Sequence, residues 1–367
     1  MSELLELQEP AHAFERIEAF LRDRGFFEPG AKDLVADLYL GYGLSQAVRR
    51  EIVPAAAEPC PLPLAACSVR TARTIAGNDN GGRYSVGAWE RSWSAAEYGA
   101  AVDAVRAAIA RGDVYQVNLV QHLSAPYAGG PGALAARLAP LRPHNREPFR
   151  GDGWSVVSAS PELFLARRGS RVWTSPIKGT RAAGGARELA TSAKDAAEHV
   201  MIVDLERNDL SRVCEAGSVR WPELMATRRL AGVEHMVSTV EGTLRHGVGL
   251  AELLGATFPG GSVTGAPKIA AVDLIARLEP VGRGASMGAL GWVRGNGDLD
   301  LALTIRTFAV AGGRVHLWVG GGVVWDSDPE EEIEESWTKA RPLLRAIDAP
   351  LVQDGVVEPG AGAATRR

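Results

Sequence analysis

The sequence predicts an α+β fold, one large unit in which strand-like and helical segments mix without the regular alternation of a doubly wound sheet. Three observations lead there. Long segments carry apolar residues at helical spacing, short segments alternate apolar and polar residues as half-buried strands do, and no short-period repeat organises either kind. Hydrophobic residues fill 46% of the 367 positions and charged residues 23%, so a sizeable core is expected.

In chain order, an amphipathic helix is expected around Ala13–Leu21, followed by a glycine-containing turn. Ala55–Leu64, rich in Ala and Pro, reads as a surface connection. Ser94 and Glu97 form a capping-box pair ahead of Tyr98, Val102, Val105 and Ile109, and Gly112 suits the left-handed residue that ends such a helix. Trp154–Ser158 and Arg171–Ser175 alternate as strands. Two helices, about Ser192–Asn208 and Ala266–Leu278, lie among further strands. Strand-like material returns at Met287–Val293, Leu301–Val310 and Val315–Val319. A last helix runs from Pro329 to about Ile347, with Pro342 expected to kink or interrupt it. The segment 351–367, mostly Gly and Ala, is expected to be disordered.

Lys plus Arg total 40 against 44 for Asp plus Glu, a formal charge of −4. That balance offers no broad attraction for nucleic acid, and no basic block offers a local one. No apolar run reaches the roughly 18 residues of a membrane span, and no secretory signal is expected from the start Met1-Ser2-Glu3, which lacks a basic stretch followed by an apolar one. The three cysteines, Cys60, Cys67 and Cys214, lack metal-ligand spacing, so a reduced cytoplasmic setting is expected.

Four groups of residues have the composition of a reactive site. Glu198 shares a helix face with Met201, Ile202 and Leu205, where a lone buried charge is costly, and Asp195 lies one turn back. Glu332 and Glu335, three apart, project together beside the stripe of Ile333, Trp337, Ala340 and Leu344. Two such carboxylate pairs suit a hard divalent cation such as magnesium. Acidic residues in a first turn also offset the helix dipole, and residue type alone leaves both readings open. Glycines gather at Gly320-Gly321-Gly322, at an apparent strand end, and in Phe258–Lys268, which runs into a helix start. Lys178 stands between Ile177 and Gly179, where partial burial would lower its pKa and free the amine as a nucleophile.

Taken together, six segments resemble the chorismate-utilising enzymes, which include anthranilate synthase component I, aminodeoxychorismate synthase component I, and the isochorismate and salicylate synthases. They are Gly112–Leu119, Ser160-Pro161-Glu162, Pro176–Arg181, Ile202–Leu210, Phe258–Lys268 and Ile305-Arg306-Thr307, in family order between about Trp89 and Ile347. The resemblance implies two large β-sheets packed on each other with helices outside, a catalytic domain over 89–350, and a shortened region 1–88 contributing to the sandwich. It also implies a site. The family's lysine-for-alanine difference falls on Lys178; lysine there accompanies amination of chorismate at C4. Enzymes that add water carry a lysine base where Gln116 stands, so ammonia is the implied nucleophile. Glu162 matches the general acid, with a raised pKa expected, and Arg306 the grip on a substrate carboxylate. Magnesium would be held chiefly by Glu198 and Glu335, with Asp195 and Glu332 nearby.

By the same resemblance, Gly179, Thr180, Gly320, Gly321 and Gly322 line the substrate, Gly265 and Ala266 form a helix-start segment near it, and His235 lies close to the reacting ring. Trp292 stands where a tyrosine usually contacts the substrate. No cysteine sits on a glycine-flanked nucleophile elbow, so ammonia is expected from a separate glutamine amidotransferase subunit. Amination at C2, as in anthranilate synthase or an aminodeoxyisochorismate-type synthase, is the nearest alternative activity, and a non-catalytic chorismate-binding subunit the alternative of another kind.

Overall fold

A computed structural model of the chain describes residues 3–51, 54–71, 82–182, 184–230 and 233–349, with the backbone of 352–353 and 356–357; the side chains of residues 32, 180–182, 193–194, 230 and 233 lie outside the description. Among the described residues, period-2 segments assemble into two large antiparallel sheets. The ten-stranded sheet runs in the order Glu3–Leu7, Ala65–Thr71, Leu34–Leu40, Ala289–Arg294, Leu299–Leu303, Leu163–Arg168, Arg171–Ser175, Val233–Thr243 and Ile177–Ala182, with Arg220–Leu230 also pairing Val233–Thr243. The eight-stranded sheet is built on Gln116–Ala128, Arg314–Val323, Thr307–Ala311 and Trp154–Ser158, with four two-residue strands at its margins.

The sheets face each other across one core. Buried Ala36, Leu38, Val293 and Leu301 from the first sheet and Val117, Leu119, Val156 and Trp318 from the second belong to a single cluster. A second cluster, with Leu123, Phe308 and Leu317, covers the other face of the eight-stranded sheet. Trp337, Ala340, Leu343 and Leu344 of helix Pro329–Ala346 close it. The result is the expected α+β architecture of two packed sheets with helices outside.

Several local expectations hold because the capping chemistry is local. Helix Ala13–Arg22 buries Ala13, Ile17 and Leu21 on one face. Helix Ala95–Ala110 begins on the reciprocal Ser94–Glu97 box, and Gly112 beyond its end has φ +81°. Ser192 caps helix Ala193–Ser211, accepting from the Asp195 amide, and Asp328 caps helix Pro329–Ala346.

Other expectations need correction. Of the two outcomes expected at Pro342, interruption does not occur: helix Pro329–Ala346 runs through it, with buried Trp337, Ala340, Leu343 and Leu344 packed on both sides of the proline. Ala266 is not helical: Gly265–Ala266 pairs with Val117 and Gln116, and the helix starts at Lys268. Ala55–Leu64 is not simply superficial, since Cys60 and Leu62 are buried and Glu58 accepts a hydrogen bond from the Gly284 amide at 2.8 Å. Of the segment 351–367, Val352–Gln353 pairs with Val356–Val357 and the rest lies outside the described residues.

One buried ion pair ties the segment 260–266 to the second sheet. Arg283 donates from Nε and Nη2 to Glu279 at 2.8 and 2.7 Å, and to the carbonyls of Val263 and Asn118 at 2.9 and 2.6 Å. Glu279 also accepts from the Val120 amide at 3.0 Å. Both side chains are buried, so removing one partner strands a charge. Arg283→Met is expected to destabilise the fold by about 3–5 kcal/mol in urea unfolding. Arg283→Met with Glu279→Leu should recover much of that loss, and a single variant as stable as the parent contradicts this account.

Candidate active site

The site begins where the chain passes from one sheet to the other. Trp154–Ser158 pairs with Thr307–Ala311 in the eight-stranded sheet, whereas Leu163–Arg168 pairs with Leu299–Leu303 in the ten-stranded one. The two connections therefore run side by side, one carrying Glu162 and the other Arg306. The Ala159 amide donates to the Arg306 carbonyl and the Leu303 amide to the Glu162 carbonyl, both at 3.0 Å. The strand expected over Leu301–Val310 is thus broken in two at Thr304–Arg306. Arg306 occupies the left-handed region at φ +52°, a conformation that costs a non-glycine residue about 1–3 kcal/mol and concentrates at functional sites.

Glu162 is buried, and burial holds its carboxyl above the usual range, although Lys178, hydrogen bonds from Ser262 and the Ile177 amide, and Arg306 pull the other way. Burial also lowers Arg306, with Glu162 opposing it.

Lys178 reaches the same space from the ten-stranded sheet. In the pairing of Ile177–Ala182 with Val233–Thr243, Lys178 opposes Met236 and Thr180 opposes His235, leaving Gly179 as the extra residue of a bulge. Gly179 has φ +62°, and a Cβ there would lie 2.5 Å from Leu189 Cδ1 and 3.4 Å from Asp195 Oδ1. The bulge aims the Lys178 ammonium 3.0 Å from Glu198 Oε1 and 3.3 Å from the Ser262 carbonyl. Burial alone would lower Lys178, as its sequence setting implies, but Glu198, Glu162 and Glu206 outweigh it and the net shift is upward. The resting amine is an ammonium.

The acidic residues converge on the glycine triplet. These glycines lie inside strand Arg314–Val323, opposite Val120, Leu119 and Asn118, and not at its end. A Cβ on Gly320 would overlap the Leu119 carbonyl oxygen at 1.8 Å, and one on Gly322 would meet Gln116 Nε2 at 1.9 Å. Gln116 donates to Glu198 at 2.7 Å, beside Gly322. Beside Gly321 lie Glu335, paired with Lys339 at 2.7 Å, and buried Glu332, which accepts from Ser327 at 2.6 Å. Among the described residues no three His, Cys, Asp or Glu side chains form a ready metal cage.

His235 is buried with Nδ1 3.4 Å from the Gly179 carbonyl, and its pKa is lowered by burial and then by the Arg306 charge. Gly265–Ala266 joins the site through Gln116 and Val117. The Thr180 side chain lies outside the described residues. Trp292 is not brought to this group: its ring lies between the guanidinium groups of Arg168 and Arg294, at 4.9 and 4.8 Å. Two contributors went unnoticed in the sequence. Ser262 sits unremarked within the glycine-rich segment. Lys339 holds both Glu335 and the Gly320 carbonyl at 2.8 Å, and its one signal was the i,i+4 spacing from Glu335.

The chorismate binding enzyme family matches residues 61–345. Anthranilate synthase component 1 of Streptomyces coelicolor is 39% identical over 317 residues, 83% of this chain and 59% of that protein. Aminodeoxychorismate synthase component 1 of Klebsiella aerogenes is 40% identical over 274 residues, 71% of this chain and 60% of that protein. The chain thus spans less than two thirds of the length of these relatives. Anthranilate synthase component I of Streptococcus pneumoniae superposes with a TM-score of 0.75 at 27% identity, covering 84% of this chain and 80% of that one. In sequence and in fold, the chain belongs to the chorismate binding enzyme family.

Proposed function

We propose that the protein aminates chorismate at C4, yielding 4-amino-4-deoxychorismate, with Lys178 as a covalent nucleophile and ammonia as the final one. The observation that carries this reading is a largely buried lysine aimed by a bulge into the space bounded by Glu162 and Glu198. Relatives named anthranilate synthase and aminodeoxychorismate synthase are about equally similar, so the reading rests on the residue and not on the ranking.

The chemistry follows from the charges. Lys178 must be neutral to add at C2, and Glu162 must be protonated to release the C4 hydroxyl. Burial already favours the protonated form of Glu162, so the one change still required is loss of a proton from the Lys178 ammonium. The amine then forms a bond to C2, the two conjugated ring double bonds shift towards C4, and the C4–O bond breaks as Glu162 gives its proton to the hydroxyl, which departs as water. Ammonia attacks C4 and expels Lys178 from C2. Arg306, a planar donor facing Glu162 across the seam, suits a substrate carboxylate. Gln116 has no basic group with which to activate water, which supports ammonia as the second nucleophile.

The donor set fits magnesium held by Glu198 and Glu335, with Glu332 and Asp195 as nearby oxygen donors, since this ion uses one or two carboxylates and keeps its remaining positions for water and substrate. Bound there, the ion would neutralise substrate carboxylate charge and compete with Lys178 for Glu198. All three cysteines are buried, with thiols pushed up to about 12 for Cys60 and Cys67 and about 11 for Cys214. Such thiols do not hydrolyse glutamine, which supports a separate glutamine amidotransferase as the ammonia source.

Incubation with chorismate, magnesium and ammonium, followed by NMR of the product, is expected to place nitrogen at C4; anthranilate fluorescence, or nitrogen at C2, contradicts the proposal. Lys178→Ala is expected to abolish C4 amination, and unchanged turnover would remove the covalent step. Glu162→Gln should lower kcat by about 10²–10⁴. The protonated acid is present below its raised pKa and is lost as pH rises through it, so this variant should also lose that alkaline limb from its pH–rate profile.

A further inference from the structure

The proposed amination requires ammonia beside Lys178, and a site that supplies it rests on that reading of the reaction. Behind the segment carrying Ser262 lies a small cavity of about 10 Å³, at the lower limit for one guest of water's size, and every residue lining it is buried. Its walls are close sequence neighbours of the site: Phe164 after Glu162, Thr174 before Lys178, Gly261 before Ser262. The Ser262 carbonyl accepts from Lys178 at 3.3 Å, and the preceding Gly261 lines the cavity, so this backbone segment borders both. A Cβ at Gly261 would press on Leu205 Cδ2 at 2.8 Å and lie 3.6 Å from Glu206 Cγ, and glycine keeps that wall thin.

The lining offers oxygen acceptors around one carboxyl. Thr174 donates to Glu206 Oε2 at 3.1 Å. The charged groups around Glu206 are Glu162, Asp209, Lys268 and, across the wall, Lys178. Lys268 is committed to Asp209 at 2.5 Å and the Thr257 carbonyl at 3.1 Å, and no ion pair to Glu206 occurs among the described residues. We propose that this cavity binds ammonium, with Glu206 accepting one of its protons and releasing ammonia towards the substrate beside Lys178. The step balances: ammonium and a carboxylate become ammonia, with its lone pair free, and a neutral carboxyl. Burial above all pushes Glu206 up to about 8, so it rests largely neutral near pH 7 and a cation entering the cavity draws it to the charged form.

Two readouts test this with the whole chain. Crystals soaked in thallous acetate, whose monovalent cation resembles ammonium in size, are expected to show an anomalous peak in the cavity beside Glu206, absent in Glu206→Gln. With ammonium chloride as nitrogen donor, Glu206→Gln should raise the ammonium KM at least tenfold while the chorismate KM stays within twofold. Should that variant fold poorly, Glu206→Asp is expected to show a smaller rise in the same constant alone. Both constants rising together, or an unchanged ammonium KM with no cavity peak, overturns the assignment. If the parent protein does not aminate chorismate at C4, the functional proposal fails, and the thallium peak still decides whether the cavity takes a monovalent cation.

Discussion

The site depends on a seam. Two chain segments leave one sheet for the other side by side, and hydrogen bonds between them replace the strand pairing that each gives up. Ser158 and Thr307 hydroxyls meet at 2.8 Å, Ser158 Oγ accepts from the Ser160 amide at 3.2 Å, and Thr304 Oγ1 accepts from the Gly288 amide at 2.7 Å. Buried backbone groups demand partners, and here small hydroxyls supply them. Because both crossings are fixed to each other, Glu162 and Arg306 are held in one place although they lie far apart in the chain.

Everything else is arranged around the charge balance at that seam. Four ionisable groups share this space, Glu162 buried and Lys178, Glu198 and Arg306 partly so, and none has its ordinary affinity for protons. Burial favours the neutral acid at Glu162, whereas Glu198, whose own pKa burial raises but Lys178 and Gln116 bring down overall, keeps the lysine charged. With the neutral form favoured at Glu162, loss of one proton from Lys178 would set a free amine beside a protonated carboxyl. The Lys178–Glu198 contact, at 3.0 Å, is the interaction that holds the lysine in its charged form.

Much of this was legible in the residues. Caps at Ser94, Ser192 and Asp328 act within one helical turn, so their residue types suffice, and the motif order carried the fold and pointed to Lys178, Glu162 and Glu198, which the structure brings together. What stayed hidden was set by distant partners. Leu301–Val310 contains the residues of a continuous strand, and only pairing with two different sheets breaks it at Arg306. Gly320–Gly322 looks like a turn until the close approach of Leu119 and Gln116 shows why a strand interior lacks side chains there. Pro342 is overruled by packing, and Trp292, placed by analogy beside the substrate, is held elsewhere by two arginines.

The central claim is that Lys178 bonds to the substrate during turnover, and mass spectrometry reads that bond directly. Protein mixed with chorismate and magnesium in the absence of ammonia, then denatured and digested, should yield a peptide containing Lys178 that is heavier by chorismate less one water. Ammonium added before denaturation should discharge it. Turnover without any such adduct, or an adduct on another residue that discharges at the rate of turnover, would contradict the account.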